Sequence, residues 1–122
     1  MLQALDHVTL RSTDLARTLK FYQRLLGLVP GDRPNFAVQG FWLYAAGRPV
    51  LHVVEKPVEG HCGPIDHVAF EARGRAMLSA QLHDAGVRFE LVALPDGSAL
   101  QMFLNDPDGA RIELVFRDPE DR

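Results

Sequence analysis

An internal repeat constrains the fold of this chain more than any other feature of its sequence. The segment LDHV at residues 5–8 returns as IDHV at residues 65–68, and VLHVV at residues 50–54 aligns with RIELV at residues 111–115. Each copy therefore carries one potential metal ligand near its start and another near its end. Repeated segments of this kind indicate two copies of one supersecondary unit that bury their apolar surface together.

Both halves show the same order of predicted elements. Alternating apolar and polar residues predict a strand at each start, and apolar residues at helical spacing, ended by Gly27 and Gly86, predict a helix after it. Extended segments separated by turns follow in each half, and the first of them reads as one or two strands broken near Gly40. The strands are predicted at residues 4–11, 36–44, 49–55, 65–71, 87–94, 100–105 and 110–116, and the helices at 15–26 and 74–85.

This order predicts an α+β fold in which each half is a βαβββ module. Two such modules side by side form a curved mixed sheet around a metal-binding cavity, with the helices on the convex side. We expect a single domain over residues 1–122, with modules at about 1–57 and 64–117. The Pro- and Gly-rich residues 56–64 connect the modules, and the polar residues 117–122 form a frayed tail.

The alternation of side chains along the strands predicts which residues face the cavity. Apolar residues of one parity pack beneath the helices, and they are Val8, Leu10, Val68, Phe70, Ile112 and Leu114. The opposite face carries His7, Thr9, His52, His67 and Glu113. Three imidazoles and one carboxylate suit a single divalent ion (Zn, Ni, Co, Mn or Fe(II)), because neutral nitrogen ligands hold a borderline cation and the carboxylate offsets part of its charge.

Each of these residues also has a structural interpretation that needs no metal. A single inward-facing histidine is more often a hydrogen-bonded core residue than a ligand. Four ligand-type residues at four symmetry-related positions favour a metal site made of His7, His52, His67 and Glu113. For His52 the alternative is a contact to another ligand or to the substrate. Proton transfer is assigned to His52, to Glu113 or to a metal-bound water.

Further polar and aromatic residues are candidates for the walls of the cavity. The predicted substrate contacts are Thr9, Trp42, Gln101 and Arg111, and Arg33 is a candidate for the mouth or wall. Trp42 also fits the core, Gln101 also fits a sheet edge, and Arg111 also fits an ordinary surface position. The loop that contains His61 and Cys62 is interpreted as a lid or linker.

Composition excludes several other classes of protein. The net charge is −3 and the basic residues are scattered, which argues against a nucleic-acid or anionic-membrane partner. No apolar run approaches the length of a membrane span, and no secretory leader is recognised. A single cysteine permits no internal disulfide, so the expected location is the reducing cytoplasm.

Four segments resemble the vicinal oxygen chelate superfamily, which includes glyoxalases, bleomycin-resistance proteins and dioxygenases. They are DHVTL at 6–10, FYQRLLGL at 21–28, DHVAF at 66–70, and NDPDG at 105–109 followed by IEL at 112–114. The resemblance implies paired βαβββ modules around one divalent metal, with His7, His67 and Glu113 at the positions of the commonest ligands. It also implies a small-molecule substrate with neighbouring oxygens, and a homodimer whose sites are shared between chains.

The resemblance leaves the activity open between four alternatives. Glyoxalase I-type lyases carry a glutamate where His52 stands, so the charge of the site differs here. Thiol transferases of the fosfomycin-resistance type use a lysine that is absent after the second helix. Extradiol dioxygenases use two histidines and one glutamate around Fe(II), with His52 or His61 as the possible base, and non-catalytic resistance proteins lack the ligand set. We expect a metal-dependent, glyoxalase-like lyase or isomerase.

Overall fold

The chain folds into two compact units, Met1–Gly60 and His61–Arg122. The computed structural model describes residues 1–60 and 63–122, and each unit is considered by itself. His61 and Cys62 lie outside the described residues, and so do the lid predicted for their loop and the alternative base His61. In the part of the chain that is described, no helix is long and apolar enough to cross a membrane.

The N-terminal unit is a four-stranded mixed sheet with one helical segment. The strands lie in the order β1-β4-β3-β2, with β1 parallel to β4 and the other pairs antiparallel. The elements are β1 (Val8–Ser12), α1 (Leu15–Lys20), a π-helical turn (Phe21–Leu25), β2 (Val29–Gly31), β3 (Gly40–Ala45) and β4 (Arg48–Glu55).

The C-terminal unit repeats this topology. Its strands lie in the order β5-β8-β7-β6, and β5 is parallel to β8. The elements are β5 (Val68–Ala72), α2 (Arg75–Asp84), β6 (Phe89–Ala93), β7 (Leu100–Asn105) and β8 (Arg111–Phe116). The predicted α+β fold of two βαβββ modules is therefore confirmed.

The strand register shows that the repeat extends to individual residue pairs. Thr9 pairs with His52 in the first sheet, and Ala69 pairs with Glu113 in the second. In both cases the first strand of the module pairs with its last. The second potential ligand of each half thus occupies the same place in its sheet.

The central strands are buried on both faces. Leu51 and Val53 of β4 are fully buried. In β8, Ile112 is fully buried and Leu114 is nearly so. Burial of apolar side chains on the helix-covered face contributes on the order of 2 kcal/mol for each. The alternate residues, which include the buried His52, carry the polar chemistry on the other face.

The N-terminal helical segment departs from the predicted α-helix of three turns. The α-helix ends at Lys20 and the chain continues as a π-helical turn over Phe21–Leu25. Both Phe21 and Tyr22 are buried, with ring centroids 5.2 Å apart and nearly perpendicular planes. The buried ring pair accompanies this wider turn.

The strand predicted over residues 36–44 begins only at Gly40, and its edge partner lies earlier, at Val29–Gly31. Pro30 gives β2 little strand character in the sequence, yet proline is tolerated in an edge strand. Gly31 is required by packing, because a Cβ there would lie 2.5 Å from the ring of Tyr44.

The prediction of a frayed C-terminal tail is wrong, because Asp121 caps α2. The Asp121 carboxylate accepts hydrogen bonds from the backbone N–H of Gly74 at 2.8 Å and of Arg75 at 2.9 Å. Gly74 occupies the N-cap position and offers no side chain. A carboxylate here satisfies exposed N–H groups and opposes the positive end of the helix dipole.

We expect the Asp121→Ala variant to lower the free energy of unfolding by about 1–2 kcal/mol, the usual cost of losing an N-cap. Urea denaturation followed by circular dichroism measures the effect. The exposed neighbour Glu120 provides the control, and Glu120→Ala is expected to unfold at the wild-type midpoint. Equal midpoints for both variants would contradict the capping role.

Candidate metal centre

The C-terminal unit brings His67 and Glu113 into direct contact. His67 stands immediately before β5 and Glu113 lies in the middle of β8. The Nε2 atom of His67 is 2.7 Å from Oε2 of Glu113. Glu113 is only 6% exposed, so its negative charge needs a partner in the protein or a bound cation.

Each of these two side chains is braced from its other end. Gln101 donates a hydrogen bond from Nε2 to Oε1 of Glu113 at 2.6 Å. The Nδ1 atom of His67 lies 2.6 Å from Oδ2 of Asp66, and Arg111 donates to that same oxygen at 3.2 Å. The hydrogen bond from His67, together with the charge of Arg111, lowers the pKa of Asp66. An ionised Asp66 keeps the Nδ1 proton of His67 in place and directs Nε2 towards Glu113.

The short contact between His67 and Glu113 requires a positive centre between its two atoms. Both Nε2 and a carboxylate oxygen present lone pairs, so a proton or a metal ion must lie between them. A metal would replace that proton, since metal ligands bind in their deprotonated forms. A carboxylate on the distal nitrogen is also the usual outer partner of a metal-bound histidine. The donor types of this pair therefore suit a divalent cation, and the two atoms are hydrogen-bonded to each other in this structure.

The N-terminal unit repeats the braced histidine. His7 stands just before β1, and its Nδ1 lies 2.6 Å from Oδ2 of Asp6. The second nitrogen, Nε2, is left for another partner. The carboxylate–imidazole pair is thus part of the repeat, since Asp6 and Asp66 come directly before equivalent histidines.

His52 occupies the place in β4 that Glu113 occupies in β8, but its surroundings are aromatic. The Trp42 ring stacks on it, with centroids 4.8 Å apart and planes inclined by 6°. The Phe36 ring lies 5.1 Å away at 32°. The ring of His7 is 6.5 Å from that of His52. His52 is therefore held in a slot and is only 8% exposed.

A guanidinium completes the surroundings of His52. Arg33 donates from Nε to Nε2 of His52 at 3.1 Å and from Nη2 to the carbonyl of Val38 at 2.7 Å. Burial, and then the charges of Arg33 and His7, lower the pKa of His52. The imidazole is therefore neutral at pH 7, because each of these factors disfavours its charged form.

The predicted ligands are brought together as pairs within each unit. His7 and His52 belong to the N-terminal unit, and His67 and Glu113 to the C-terminal unit. Within residues 1–60 and 63–122, no group of three or more His, Cys, Asp or Glu side chains is gathered for a metal. The four donors comprise three imidazoles and one carboxylate, a set suited to borderline divalent ions.

The predicted substrate contacts differ in what they touch. Thr9 is exposed beside His52. Trp42 is 8% exposed and contacts both imidazoles, with ring centroids 4.5 Å from that of His7 and 4.8 Å from that of His52. Its Nε1 is buried without a hydrogen-bond partner among the described residues. The structure therefore places Trp42 in the core beside the two imidazoles, and its contact with a substrate stays a prediction.

Gln101 and Arg111 make contacts with the candidate ligand groups. Gln101 holds Glu113, and Arg111 holds Asp66 while its guanidinium lies 4.6 Å above the ring of Phe103. Both side chains are therefore in use within the network around His67. Gln101 lies on the interior strand β7 rather than at a sheet edge, whereas Arg111 is exposed at the surface. The substrate contacts of both residues stay predictions.

The C-terminal unit contains a groove of about 670 Å³ near the pair formed by His67 and Glu113. Phe103 and Arg111 line it and also contact the network around His67. Arg88 and Glu90 are further lining residues that sequence reasoning did not assign to the site. The strand pairing connects Glu90 with the candidate ligand, because Glu90 pairs with Phe103 and Phe103 pairs with Glu113.

The paired modules and the braced histidines define a protein of the vicinal oxygen chelate class. A family model for the Glyoxalase/Bleomycin resistance protein/Dioxygenase superfamily matches residues 4–114. The chain therefore belongs to this superfamily, and the family assignment made from the sequence is confirmed. Glyoxylase I 4 from Arabidopsis thaliana is 28% identical over 117 residues, which cover 88% of this chain and 67% of that protein.

Solved structures share the fold at low sequence identity. A putative glyoxalase family protein from Bacillus anthracis has a TM-score of 0.79 at 20% identity, over 97% of this chain and 98% of that one. A fosfomycin resistance protein, FosX from Listeria monocytogenes, was solved with Mn(II) and 1S,2S-dihydroxypropylphosphonic acid, and has a TM-score of 0.80 at 19% identity, over 100% and 98% of the chains. A trypanothione-dependent glyoxalase I from Leishmania major has a TM-score of 0.73 at 23% identity, over 98% and 90%.

We expect Asp66→Asn to weaken binding of a divalent ion by about 10- to 100-fold, because Asp66 fixes the orientation and the proton of His67. Competition with a chelating dye measures the affinity. Asp84→Asn is the matched control. Oδ1 of Asp84 lies 3.6 Å from Nδ1 of the neighbouring His83, but both of these side chains are exposed on α2. Equal affinities in the two variants would contradict a role for Asp66.

Proposed function

We propose that this chain is a divalent-metal-dependent enzyme of the glyoxalase-like lyase or isomerase type. Its substrate is a small molecule that presents two neighbouring oxygens. The observation that carries the proposal is the contact between His67 and Glu113, braced by Asp66 and Gln101. A buried carboxylate that meets an oriented imidazole nitrogen is a ready pair of metal ligands.

In this proposal His7, His67 and Glu113 hold the metal, and His52 is the candidate fourth ligand. The bound ion supplies Lewis acidity, which stabilises the negative charge that develops on the substrate oxygens. Asp6 and Asp66 orient the two histidines. The donor set suits Zn, Ni, Co, Mn or Fe(II).

Proton transfer falls to Glu113 in the first place. Gln101 donates a hydrogen bond to Oε1 of Glu113, and the carboxylate oxygen that is not bound to the metal would accept or return the proton. His52 is the second candidate, since its lowered pKa keeps the ring neutral at pH 7. A neutral imidazole is a competent base, although Nε2 already accepts a hydrogen bond from Arg33.

The groove beside Phe103 is the proposed substrate subsite. Its aromatic floor suits an apolar portion of the substrate, and Arg88 suits an anionic substituent, because guanidinium binds carboxylate in a fixed geometry. Thr9 and Trp42 line the N-terminal half-site and complete the contacts. We further propose a homodimer, in which the half-sites of the two copies complement each other.

The relatives support this choice without deciding between activities. Glyoxylase I 4 from Arabidopsis and the Leishmania glyoxalase I favour lyase chemistry, and the Mn(II) in FosX favours a divalent ion. The alternatives are an extradiol-type ring-cleaving dioxygenase, a thiol transferase of the fosfomycin-resistance type, and a non-catalytic drug- or metabolite-binding resistance protein. The three enzymatic candidates require different substrates in the assay, and the binding protein requires none.

The first test is elemental analysis of protein purified without added metal and then reloaded. We expect one divalent ion bound per complete ligand set in the wild type, and a loss of binding in His7→Ala and Glu113→Ala. His83→Ala is the control, since His83 is exposed on α2. Absence of metal from the reloaded wild type would reject the proposed enzyme and favour the binding protein.

Activity assays then separate the enzymatic alternatives. Thiol adducts of 2-oxoaldehydes test the lyase, catechols with Fe(II) and oxygen test the dioxygenase, and fosfomycin with a thiol tests the transferase. We expect turnover only of the first class, and its loss in His7→Ala together with the metal. Turnover of catechols alone would replace the lyase by the dioxygenase.

A further inference from the structure

We propose that Arg33 holds His52 away from the metal, so that the centre has three protein ligands rather than four. The inference deepens the proposed function and rests on it. It concerns the half-site in the N-terminal unit, where Arg33 donates a hydrogen bond to Nε2 of His52 at 3.1 Å. No metal-binding role is left to His52 while this bond persists.

The chemistry of the imidazole gives the first reason. A neutral histidine has one nitrogen that carries a proton and one that carries a lone pair. The lone pair of His52 is on Nε2, because Nε2 accepts from the guanidinium, which has no acceptor atom of its own. The proton is then on Nδ1, and neither nitrogen offers a free lone pair to a metal.

The packing of the ring gives the second reason. Trp42 stacks on one side of His52 at 4.8 Å, and Phe36 lies against it at 5.1 Å. The ring is buried, so it cannot turn over without displacing an aromatic neighbour. Close packing of this kind fixes a side chain in one rotamer.

The support of Arg33 gives the third reason. Its second hydrogen bond goes to the carbonyl of Val38 at 2.7 Å, and its guanidinium lies 4.9 Å from the centre of the Phe36 ring. The loop between β2 and β3 therefore holds the arginine in place. A fixed positive charge beside Nε2 also disfavours a second cation there.

The other three donors are arranged in the opposite way. His7 engages Asp6 through Nδ1, and its Nε2 is left for a metal. His67 engages Asp66 through Nδ1, and its Nε2 meets Oε2 of Glu113, so that a metal would replace only the proton between two ligand atoms. Glu113 offers Oε2. Three protein ligands leave more open positions than four, and a substrate that binds through two oxygens needs at least two of them. Arg33 is thus a positioning residue that keeps the centre open.

A measurement on the metal-free protein tests the hydrogen bond itself. Proton–nitrogen correlation spectra of the imidazoles distinguish a proton on Nδ1 from one on Nε2. We expect His52 to carry its proton on Nδ1 in the wild type and to lose this preference in Arg33→Met. An unchanged spectrum in Arg33→Met would overturn the proposal before any metal is added.

Metal affinity tests the consequence. We expect His52→Gln to bind Co(II) as the wild type does, and Arg33→Met to bind it about tenfold more tightly or better, the scale of outer-sphere changes. The absorption spectrum of the Co(II) protein is expected to change in Arg33→Met as a further nitrogen enters. In the double variant with His52→Gln, both gains are expected to vanish.

Controls separate this effect from a simple loss of charge. Arg48→Met removes a charge from an exposed position on the same strand as His52, and it is expected to leave the affinity unchanged. A gain in Arg33→Met that persists in the His52→Gln background would be electrostatic only and would overturn the proposal. A loss of Co(II) binding in His52→Gln as large as that in His7→Ala would make His52 a ligand and overturn it as well. Failure of the wild type to bind any metal would instead reject the proposed function.

Discussion

The parallel pairing of the first strand of each module with its last is the constraint on which the rest of the structure depends. It sets Thr9 beside His52 and Ala69 beside Glu113, residues that are more than 40 positions apart in the chain. Such a pairing needs a crossover between the strands, and the helix with the following hairpin supplies it. The last strand thereby becomes central and buried on both faces. Its alternate residues serve the core on one face and the candidate site on the other.

A buried ionisable group needs polar or charged partners inside the protein. The C-terminal unit provides such partners to Glu113 through a chain of contacts. Glu113 is held by Gln101 and His67, and His67 is held by Asp66, which Arg111 neutralises. The bonds to Glu113 satisfy a carboxylate that is only 6% exposed and that burial would otherwise penalise. In the proposed metal centre, this network would present His67 and Glu113 as two donors that are already oriented.

The sequence predicts this architecture well where periodicity carries the information. The repeat, the strand parity and the positions of His67 and Glu113 follow from patterns of two and of about sixty residues. Interactions between distant segments leave no such pattern. The cap that Asp121 provides to α2 joins residues 46 or more positions apart, and Arg33 reaches His52 from a loop without periodicity. The edge strand β2 is likewise not predicted, because Pro30 and Gly31 are residues with low strand propensity. It forms by pairing with β3, which lies further along the chain.

The two modules differ in the charge of the side chain that donates a hydrogen bond to the equivalent residue of the last strand. That residue is His52 in the N-terminal unit and Glu113 in the C-terminal unit. Glu113 receives a neutral amide from Gln101, so its negative charge stays available to a cation. His52, at the equivalent place, receives a guanidinium from Arg33, which lowers its pKa and leaves a positive charge beside the ring. The same backbone register therefore produces one position that attracts a cation and one that repels it. In the proposed metal centre, the position of Glu113 would therefore supply an anionic ligand, whereas Arg33 would close the equivalent position of His52 to a cation.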